Sequence, residues 1–180
     1  MLSYLIFLFK YSKLAAFIKS LIVFDPQETI LFHAFSFAKV SELEGDYLEF
    51  GVYEGKTLTY AHHRAQKYGF YTMQFYAFDS FIGLPTIEGK DADGFCFYKQ
   101  GYYSCSQEKF KKNITKSGVN LSKVTIVPGW YHETLNQETK NKLAIKKAAI
   151  VFIDCDLYES SVSVLNFITD YLQDGTILIF

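Results

Sequence analysis

Short apolar runs alternate with helical patterns from Tyr47 to the end of the chain. The clearest run is Ala148–Ile153, and shorter ones lie at 47–50, 75–78, 124–127 and 176–180. Continuous apolar strands separated by helices are typical of a parallel sheet that is covered on both faces. The sequence therefore predicts an α/β fold with a doubly wound sheet.

The segments between these runs predict the helices. One is expected over 55–68, ended by Gly69, another over 107–116, and a third within 133–146. A last helix follows the run at 148–153, and its spacing predicts that Leu165, Ile168 and Leu172 share one face. Because the sequence stops within the final strand, we expect the chain to be a fragment whose sheet is incomplete at the C-terminal end.

The composition is that of one globular domain. The 180 residues are 49% apolar and carry a net charge of −1. This charge gives no excess of basic residues for binding a phosphate backbone, so no nucleic-acid partner is predicted. The three cysteines form no CxxC pair, which favours reduced thiols and a cytoplasmic location. The aromatic share of 18% favours a binding pocket or an interface between copies of the chain, so a homo-oligomer is expected.

The first 44 residues are predicted to be a helical segment in front of the domain at 45–180. Residues 1–24 are rich in apolar side chains, but Lys10, Lys13 and Lys19 interrupt them. The longest uncharged run ends at Phe9, whereas a transmembrane helix needs roughly 18 apolar residues. We therefore expect no membrane span and favour a helix that packs on the domain or on a second subunit. A helix lying on a membrane surface is the alternative.

The first group of candidate functional residues follows the strand at 47–50. Gly51 and Gly55 lie in the turn between this strand and the next helix, and ligands bind at the carboxyl ends of strands in open α/β sheets. The spacing matches neither a phosphate-binding loop nor the GxGxxG dinucleotide pattern. Glycine at such a turn also has a purely structural explanation, so this motif alone is weak.

Asp79 ends the next strand, about thirty residues after Glu49. A carboxylate at this position can accept hydrogen bonds from the ribose hydroxyls of a nucleoside. The alternative is that Asp79 and Ser80 cap the following turn. Because no pyrophosphate-binding turn is present, adenosine with a small charged tail fits better than NAD.

Two carboxylates, Asp154 and Asp156, directly follow the most apolar strand. Two like charges removed from water need compensation, which a divalent cation commonly supplies. Capping of the next helix is the alternative, because negative charge is favourable at a helix N-terminus.

Four segments together resemble the macrocin O-methyltransferase family. They are GDYLEFGVYEG at 45–55, FDSFIGLP at 78–85, GWYHETL at 129–135 and DCDLYESS at 154–161. The resemblance implies a Rossmann-like class I methyltransferase sheet. It also implies an S-adenosylmethionine-dependent O-methyltransferase, aided by Mg²⁺, that acts on a hydroxyl of a sugar or glycoside.

The resemblance also implies a role for each matching residue. The methionine side of S-adenosylmethionine would be lined by Glu49, Gly51, Tyr53 and Gly55. The ribose would be held by Asp79 and Ser80, and the adenine would be bordered by Gly129 and Trp130. Asp154 would bind Mg²⁺, and Asp156 would be the general base. The other metal ligands of the family, an Asp-Asp pair, would fall past Phe180, so this chain is expected to bind Mg²⁺ and to methylate poorly.

Two further interpretations remain open from the sequence. The chain could be a nucleoside-binding or interaction protein that keeps the methyltransferase fold without turnover; a nicotinamide-dependent oxidoreductase is disfavoured by the missing GxGxxG pattern. The long connection at 82–106 is predicted to cover the acceptor, and the alternative is that it packs on a neighbouring subunit.

Overall fold

The computed structural model describes residues 25–93 and 98–180, so the helix expected within 1–24 lies outside the described residues. The helices are α1 (Pro26–Val40), α2 (Lys56–Tyr68), α3 (Gln107–Lys116), α4 (Tyr131–Thr134), α5 (Gln137–Lys142) and α6 (Tyr158–Ile168). The strands are β1 (Asp46–Phe50), β2 (Phe75–Asp79), β3 (Val124–Pro128), β4 (Ala148–Ile153) and β5 (Ile177–Ile179). Short 3₁₀ turns lie at Gly89–Asp91, Leu121–Lys123 and Thr169–Tyr171.

The five strands form one parallel sheet in the order β3-β2-β1-β4-β5. This confirms the predicted α/β class with a doubly wound sheet. β1 lies between β2 and β4, with Phe50 opposite both Phe78 and Ile153. After β1, the strands β2 and β3 build one edge of the sheet. The chain then crosses back past β1, and β4 and β5 build the other edge. Such a reversal opens a crevice at the carboxyl ends of the two central strands, where ligands bind in this type of fold.

Alternating side chains of β1 build a core on each face of the sheet. Tyr47 packs into a cluster with the buried side chains of α1 and α2. Leu48 and Phe50 point to the opposite face, where they join Val164 and Phe167 of α6. The sheet is therefore covered on both faces, which explains why its strands are apolar at nearly every position.

The helix α1 lies within the segment 1–44 and packs on the first face of the sheet. Asp25 caps it by accepting a hydrogen bond from the amide of Gln27 at 3.0 Å, and Pro26 occupies the first turn. Its buried face consists of Leu31, Ala34, Phe35 and Ala38. No helix within 25–93 and 98–180 has the length and apolar character needed to cross a bilayer.

Two predicted helices differ from the structure. The helix expected within 133–146 is divided into α4 and α5, because the Asn136 side chain accepts a hydrogen bond from the Thr139 amide at 2.9 Å and starts a new helix. In the last helix, Leu172 does not share the face predicted for Leu165, Ile168 and Leu172, because it lies beyond the end of the α-helix. Ile168 is buried, whereas Leu165 and Leu172 are exposed. The α-helix ends at Ile168 and tightens into a 3₁₀ turn, so the period of 3.6 residues does not extend to Leu172.

Candidate active site

A cavity of about 990 Å³ opens at the carboxyl ends of the central strands. Each of the first four strands contributes one residue to its wall at or directly after the strand end. These residues are Gly51, Asp79, Gly129 and Asp154. The cavity therefore lies at the crevice that the strand order creates, and it is large enough for a drug-sized ligand.

The ends of β1 and β4 approach each other closely at Gly51. Its φ is +89°, and a Cβ atom there would lie 2.0 Å from the carbonyl oxygen of Asp154. The Asp154 amide donates to the carbonyl of Phe50 at 2.9 Å, so the ladder continues past the strand ends. Any side chain at position 51 would push these two ends apart.

The carboxylate of Asp79 joins the turn after β1 to the turn after β2. One oxygen accepts hydrogen bonds from the amides of Val52 at 2.9 Å and Tyr53 at 3.0 Å, and the other accepts from the Phe81 amide at 2.7 Å. A carboxylate has about four acceptor positions. Three are used by the protein, so the turn-capping alternative is observed and one position stays open to a ligand.

Glu49 lies fully buried beneath the cavity and is not part of its wall. Tyr47 donates its hydroxyl hydrogen to Oε2 at 2.7 Å, whereas Oε1 has no hydrogen-bond partner among the described residues. Burial, together with the charges of Asp154 and Asp79, raises the pKa of Glu49 to about 8, and hydrogen bonds from Tyr47 and from the backbone of Leu58 partly oppose this. A cationic group bound in the neighbouring cavity would favour the ionised form of Glu49 through its charge.

Asp154 and Asp156 lie on the wall of the cavity. Burial raises the pKa of both, the neighbouring Asp156 adds to the rise for Asp154, and a hydrogen bond from Tyr98 partly opposes the rise for Asp156. Asp156 has a φ of +58°, a left-handed conformation that is uncommon outside glycine. The turn after β4 thus holds two carboxyl groups with raised proton affinity in one small region.

The turn after β2 is held by Ser80. Its hydroxyl donates to the carbonyl of Gly83 at 2.7 Å and accepts from the amide of that residue at 3.0 Å. The indole of Trp130 donates to the same carbonyl at 3.4 Å, and its ring stacks on His132. Ser80, Gly129 and Trp130 therefore form one continuous part of the wall.

Tyr53 and Gly55 have different surroundings. Tyr53 lies on the wall and keeps 44% of its surface exposed. Gly55 does not line the cavity: a Cβ atom there would lie 2.4 Å from Ile114 and 2.9 Å from Phe110 of α3. The second glycine of the motif thus allows α3 to pack closely against the start of α2.

Residues 83–89 and Asp91 of the loop after β2 line the cavity, and the loop is bound to α6. The carboxylate of Asp91 accepts hydrogen bonds from the amides of Tyr158 at 2.7 Å and Glu159 at 3.1 Å. Lys90 lies over the Tyr158 ring at 4.5 Å. Leu157 at the start of α6 has no side chain that could cap the helix, so the loop supplies the cap.

The sequence motifs did not identify Gln27 or Asp91 as site residues. Gln27 lines the cavity and donates its amide to Asp154 at 3.2 Å. Nothing in the local sequence places the start of α1 beside β4, because that contact depends on how α1 packs across the sheet. Asp91 had a weak signal, since it lies in the long loop that was predicted to cover the site.

The described residues supply a more complete binding site for a nucleoside cofactor than for a metal ion. For a nucleoside with a cationic tail, the wall supplies the open acceptor position of Asp79, and the buried Oε1 of Glu49 lies beneath it. For a metal ion, residues 25–93 and 98–180 contain no group of three or more candidate His, Cys, Asp or Glu ligands. Asp154 and Asp156 alone would provide two carboxylates, fewer ligands than a dedicated cation site.

Comparisons with known proteins give the same family that the motifs indicate. The sequence model of the Macrocin-O-methyltransferase (TylF) family matches residues 31–180. A curated relative from Streptomyces olivaceus, the 8-demethyl-8-(2,3-dimethoxy-alpha-L-rhamnosyl)-tetracenomycin-C 4'-O-methyltransferase, is 25% identical over 139 residues. These residues are 75% of this chain and 51% of the relative.

Two solved structures share the fold. The O-methyltransferase NovP matches 81% of this chain and 60% of its own, with a TM-score of 0.67 and 21% identity. The calicheamicin methyltransferase CalS11 matches 88% and 66%, with a TM-score of 0.70 and 24% identity. The chain thus spans about half to two thirds of the length of these three proteins. Since the family model covers most of the sequence, this chain belongs to the macrocin-O-methyltransferase family.

Proposed function

We propose that this chain is the cofactor-binding part of an S-adenosylmethionine-dependent O-methyltransferase that methylates a hydroxyl of a sugar or glycoside. The observation that carries the proposal is the meeting of Gly51, Asp79 and Asp154 around one cavity at the reversal of the strand order. Family membership supports the reaction type, and the tetracenomycin relative supports a sugar hydroxyl as the acceptor.

The cofactor would bind across the ends of the first three strands. Asp79 would accept one ribose hydroxyl at its open position, rather than the two expected from the sequence, with Ser80 beside it. Gly129 and Trp130 would border the adenine. When bound, S-adenosylmethionine supplies the methyl group to be transferred.

On the methionine side, Gly51 and Tyr53 would contact the cofactor directly, whereas Glu49 would act from beneath the wall. A cationic ammonium or sulfonium group nearby would favour the ionised form of Glu49 and offset its burial. Gly55 would act indirectly, because it sets the packing of α3 on α2 and so the shape of the turn.

Asp156 would be the general base. The acceptor hydroxyl would lose its proton to the Asp156 carboxylate while its oxygen forms a bond to the methyl carbon. The sulfur–carbon bond would break, and its electron pair would remain on sulfur. Burial raises the pKa of Asp156, which makes it a better proton acceptor than an ordinary Asp. The remaining contribution of the protein is to align the reacting atoms.

Three further parts of the function are proposals. Asp154 would bind Mg²⁺, but we derive no step through the ion, because the described residues supply an incomplete ligand set. The enzyme would act in the cytoplasm, which agrees with the free thiols of Cys105 and Cys155. It would form homo-oligomers, for which exposed apolar residues of α1 such as Phe37 and Val40 offer surface.

A non-catalytic nucleoside-binding protein that keeps the methyltransferase fold is the second candidate, because binding in the cavity requires its wall but not proton transfer to Asp156. Isothermal titration with S-adenosylmethionine, S-adenosylhomocysteine and NAD separates the cofactor classes. Transfer of a labelled methyl group to a rhamnoside, with and without Mg²⁺, then separates the enzyme from the binding protein. Binding of NAD in preference to S-adenosylmethionine would overturn the proposal.

A further inference from the structure

Tyr47 and Glu49 of β1 form a hydrogen-bonded pair inside the protein. Residues two positions apart on a strand point to the same face, so both side chains lie on the side of the sheet that α1 and α2 cover. The Tyr47 hydroxyl donates to Oε2 of Glu49 at 2.7 Å, and both residues are fully buried. In the part of the chain that the structure describes, Tyr47 is the only side chain that hydrogen-bonds to Glu49. Because water does not reach this carboxylate, protein groups must set its orientation.

The ring of Tyr47 is held by two aromatic neighbours. The Phe35 ring of α1 stacks on it with the centroids 6.3 Å apart, and the Phe75 ring of β2 lies at 5.5 Å. Both neighbours are themselves buried. In such close packing the phenol has little freedom to turn away, so its hydroxyl offers Glu49 a donor in a fixed position.

The Glu49 carboxylate lies close to the proposed cofactor site, although it is not part of the wall. The backbone of Leu58 in the first turn of α2 also forms a hydrogen bond to it. Its charge interacts with those of Asp79 and Asp154, which both line the cavity. A cation on the methionine side of the cavity would therefore be attracted to Glu49. The strength of that attraction depends on where the carboxylate is held, because it falls with distance.

We propose that Tyr47 is a positioning residue for cofactor binding, because its hydroxyl holds the Glu49 carboxylate in the orientation from which it attracts the amino group of S-adenosylmethionine. This rests on the proposed function and adds to it a residue that lies outside the cavity wall. The hydroxyl carries the role, whereas the ring packs in the core. The two contributions can therefore be separated by experiment.

The test uses three ligands that differ in the charged groups of the cofactor. S-adenosylmethionine carries both the sulfonium and the amino-acid end, S-adenosylhomocysteine keeps only the amino-acid end, and methylthioadenosine has neither. Binding of each ligand to the original chain and to Tyr47→Phe is measured by titration calorimetry. Tyr47→Phe keeps the ring and removes the hydroxyl. It should weaken both ligands that have an amino group by about tenfold and change methylthioadenosine by less than about twofold.

A double-mutant cycle shows whether the hydroxyl acts through Glu49. In a Glu49→Gln background, Tyr47→Phe should change the affinity for S-adenosylhomocysteine by less than about twofold, since no carboxylate remains to be positioned. Tyr76→Phe is the matched control. Tyr76 is a buried tyrosine of the neighbouring strand β2 and belongs to the core on the other face of the sheet. This variant should keep its affinity for all three ligands.

Four results would overturn the inference: unchanged affinities in Tyr47→Phe, an equal loss for all three ligands, a loss confined to S-adenosylmethionine, or a loss that persists in the Glu49→Gln background. If the original chain binds S-adenosylmethionine and one of these results follows, the inference alone fails. If the original chain does not bind S-adenosylmethionine, the proposed function fails, and the inference fails with it.

Discussion

The carboxylate of Asp91 accepts a hydrogen bond from the backbone amide of Tyr158 at 2.7 Å and thereby ties the loop after β2 to the start of α6. The two residues are 67 positions apart in the chain. Because α6 follows the turn that carries Asp154 and Asp156, the same contact links the loop to the proposed metal ligand and to the proposed general base.

Replacing Asp91 with alanine should therefore release the loop. Loss of a helix cap costs about 1 kcal/mol, so Asp91→Ala should lower the free energy of unfolding by roughly that amount. It should also speed hydrogen exchange at the amides of Tyr158 and Glu159, measured by NMR. Asp93→Ala changes an exposed aspartate of the same loop and serves as the control. Unchanged exchange at both amides would contradict the capping role.

Gly51→Ala should be strongly destabilising, since its Cβ atom would lie 2.0 Å from a backbone oxygen of Asp154. Gly101 is a matched control: its φ is +81°, and a Cβ atom there meets nothing within 4 Å. Gly101→Ala should lower the free energy of unfolding by about 1 kcal/mol from backbone strain alone. Gly51→Ala should lower it by at least about 2 kcal/mol more. Equal losses in urea unfolding would show that the two strands do not approach so closely.

The raised pKa of Glu49 predicts how the free energy of unfolding depends on pH. Its pKa rises from an ordinary 4.5 to about 8 in the folded protein, chiefly through burial. Between these values the folded state binds more protons than the unfolded state, so the free energy of unfolding falls as pH rises through this window. Glu49→Gln removes the ionisable group. The variant should therefore gain stability relative to the original chain between pH 5 and 8, on the order of a few kcal/mol.

A control for the Glu49 experiment is Glu108, whose pKa is lowered, mainly by a hydrogen bond from its own amide at the start of α3. The ionised Glu108 carboxylate stabilises the folded state, and this contribution is lost as pH falls below 4.5. That range lies outside pH 5 to 8, where Glu49 is expected to change the free energy of unfolding. Denaturant unfolding measured in steps from pH 4 to 9 separates the two effects. A constant difference between Glu49→Gln and the original chain across pH 5 to 8 would exclude the raised pKa.

Asp79→Ala should weaken binding of S-adenosylmethionine by about tenfold or more, because it removes the proposed ribose acceptor and frees the amides of Val52 and Tyr53. Asp46, at the start of β1 and so at the opposite end of the strands, accepts a similar hydrogen bond from the amide of Gln74 at 3.0 Å. Asp46→Ala should lose stability and keep its affinity for the cofactor. Similar affinity loss in both variants would indicate a general effect on folding.

Asp156→Asn tests the proposed base. The amide has nearly the same shape and cannot take up the proton, so kcat for methyl transfer should fall by about a hundredfold or more. The affinity for S-adenosylmethionine, measured by calorimetry, should stay within roughly twofold, because the base contacts the acceptor rather than the cofactor. An equal loss of cofactor affinity would place Asp156 in the cofactor site instead.

The sequence by itself determined the class of fold and predicted where the candidate site lies. Strands such as Ala148–Ile153 could be recognised because residues buried on both faces of a sheet must be apolar at nearly every position. Once the strands were placed, the residues at their carboxyl ends were expected to converge, which is how Glu49, Asp79 and Asp154 could be grouped before the structure. Asp79 and Asp154 line the cavity, whereas Glu49 is buried and does not belong to its wall. Both predictions depend only on residues that are neighbours in the chain.

Only the tertiary structure decided what each of these residues contacts. Asp79 is shared between two turns, Gly55 faces α3 instead of the cavity, and Asp91 caps a helix 67 positions away. The face predicted for the last helix also failed at Leu172, because α6 ends at Ile168. Contacts between distant segments depend on how whole helices and loops pack on the sheet, and no local pattern of residues encodes that packing.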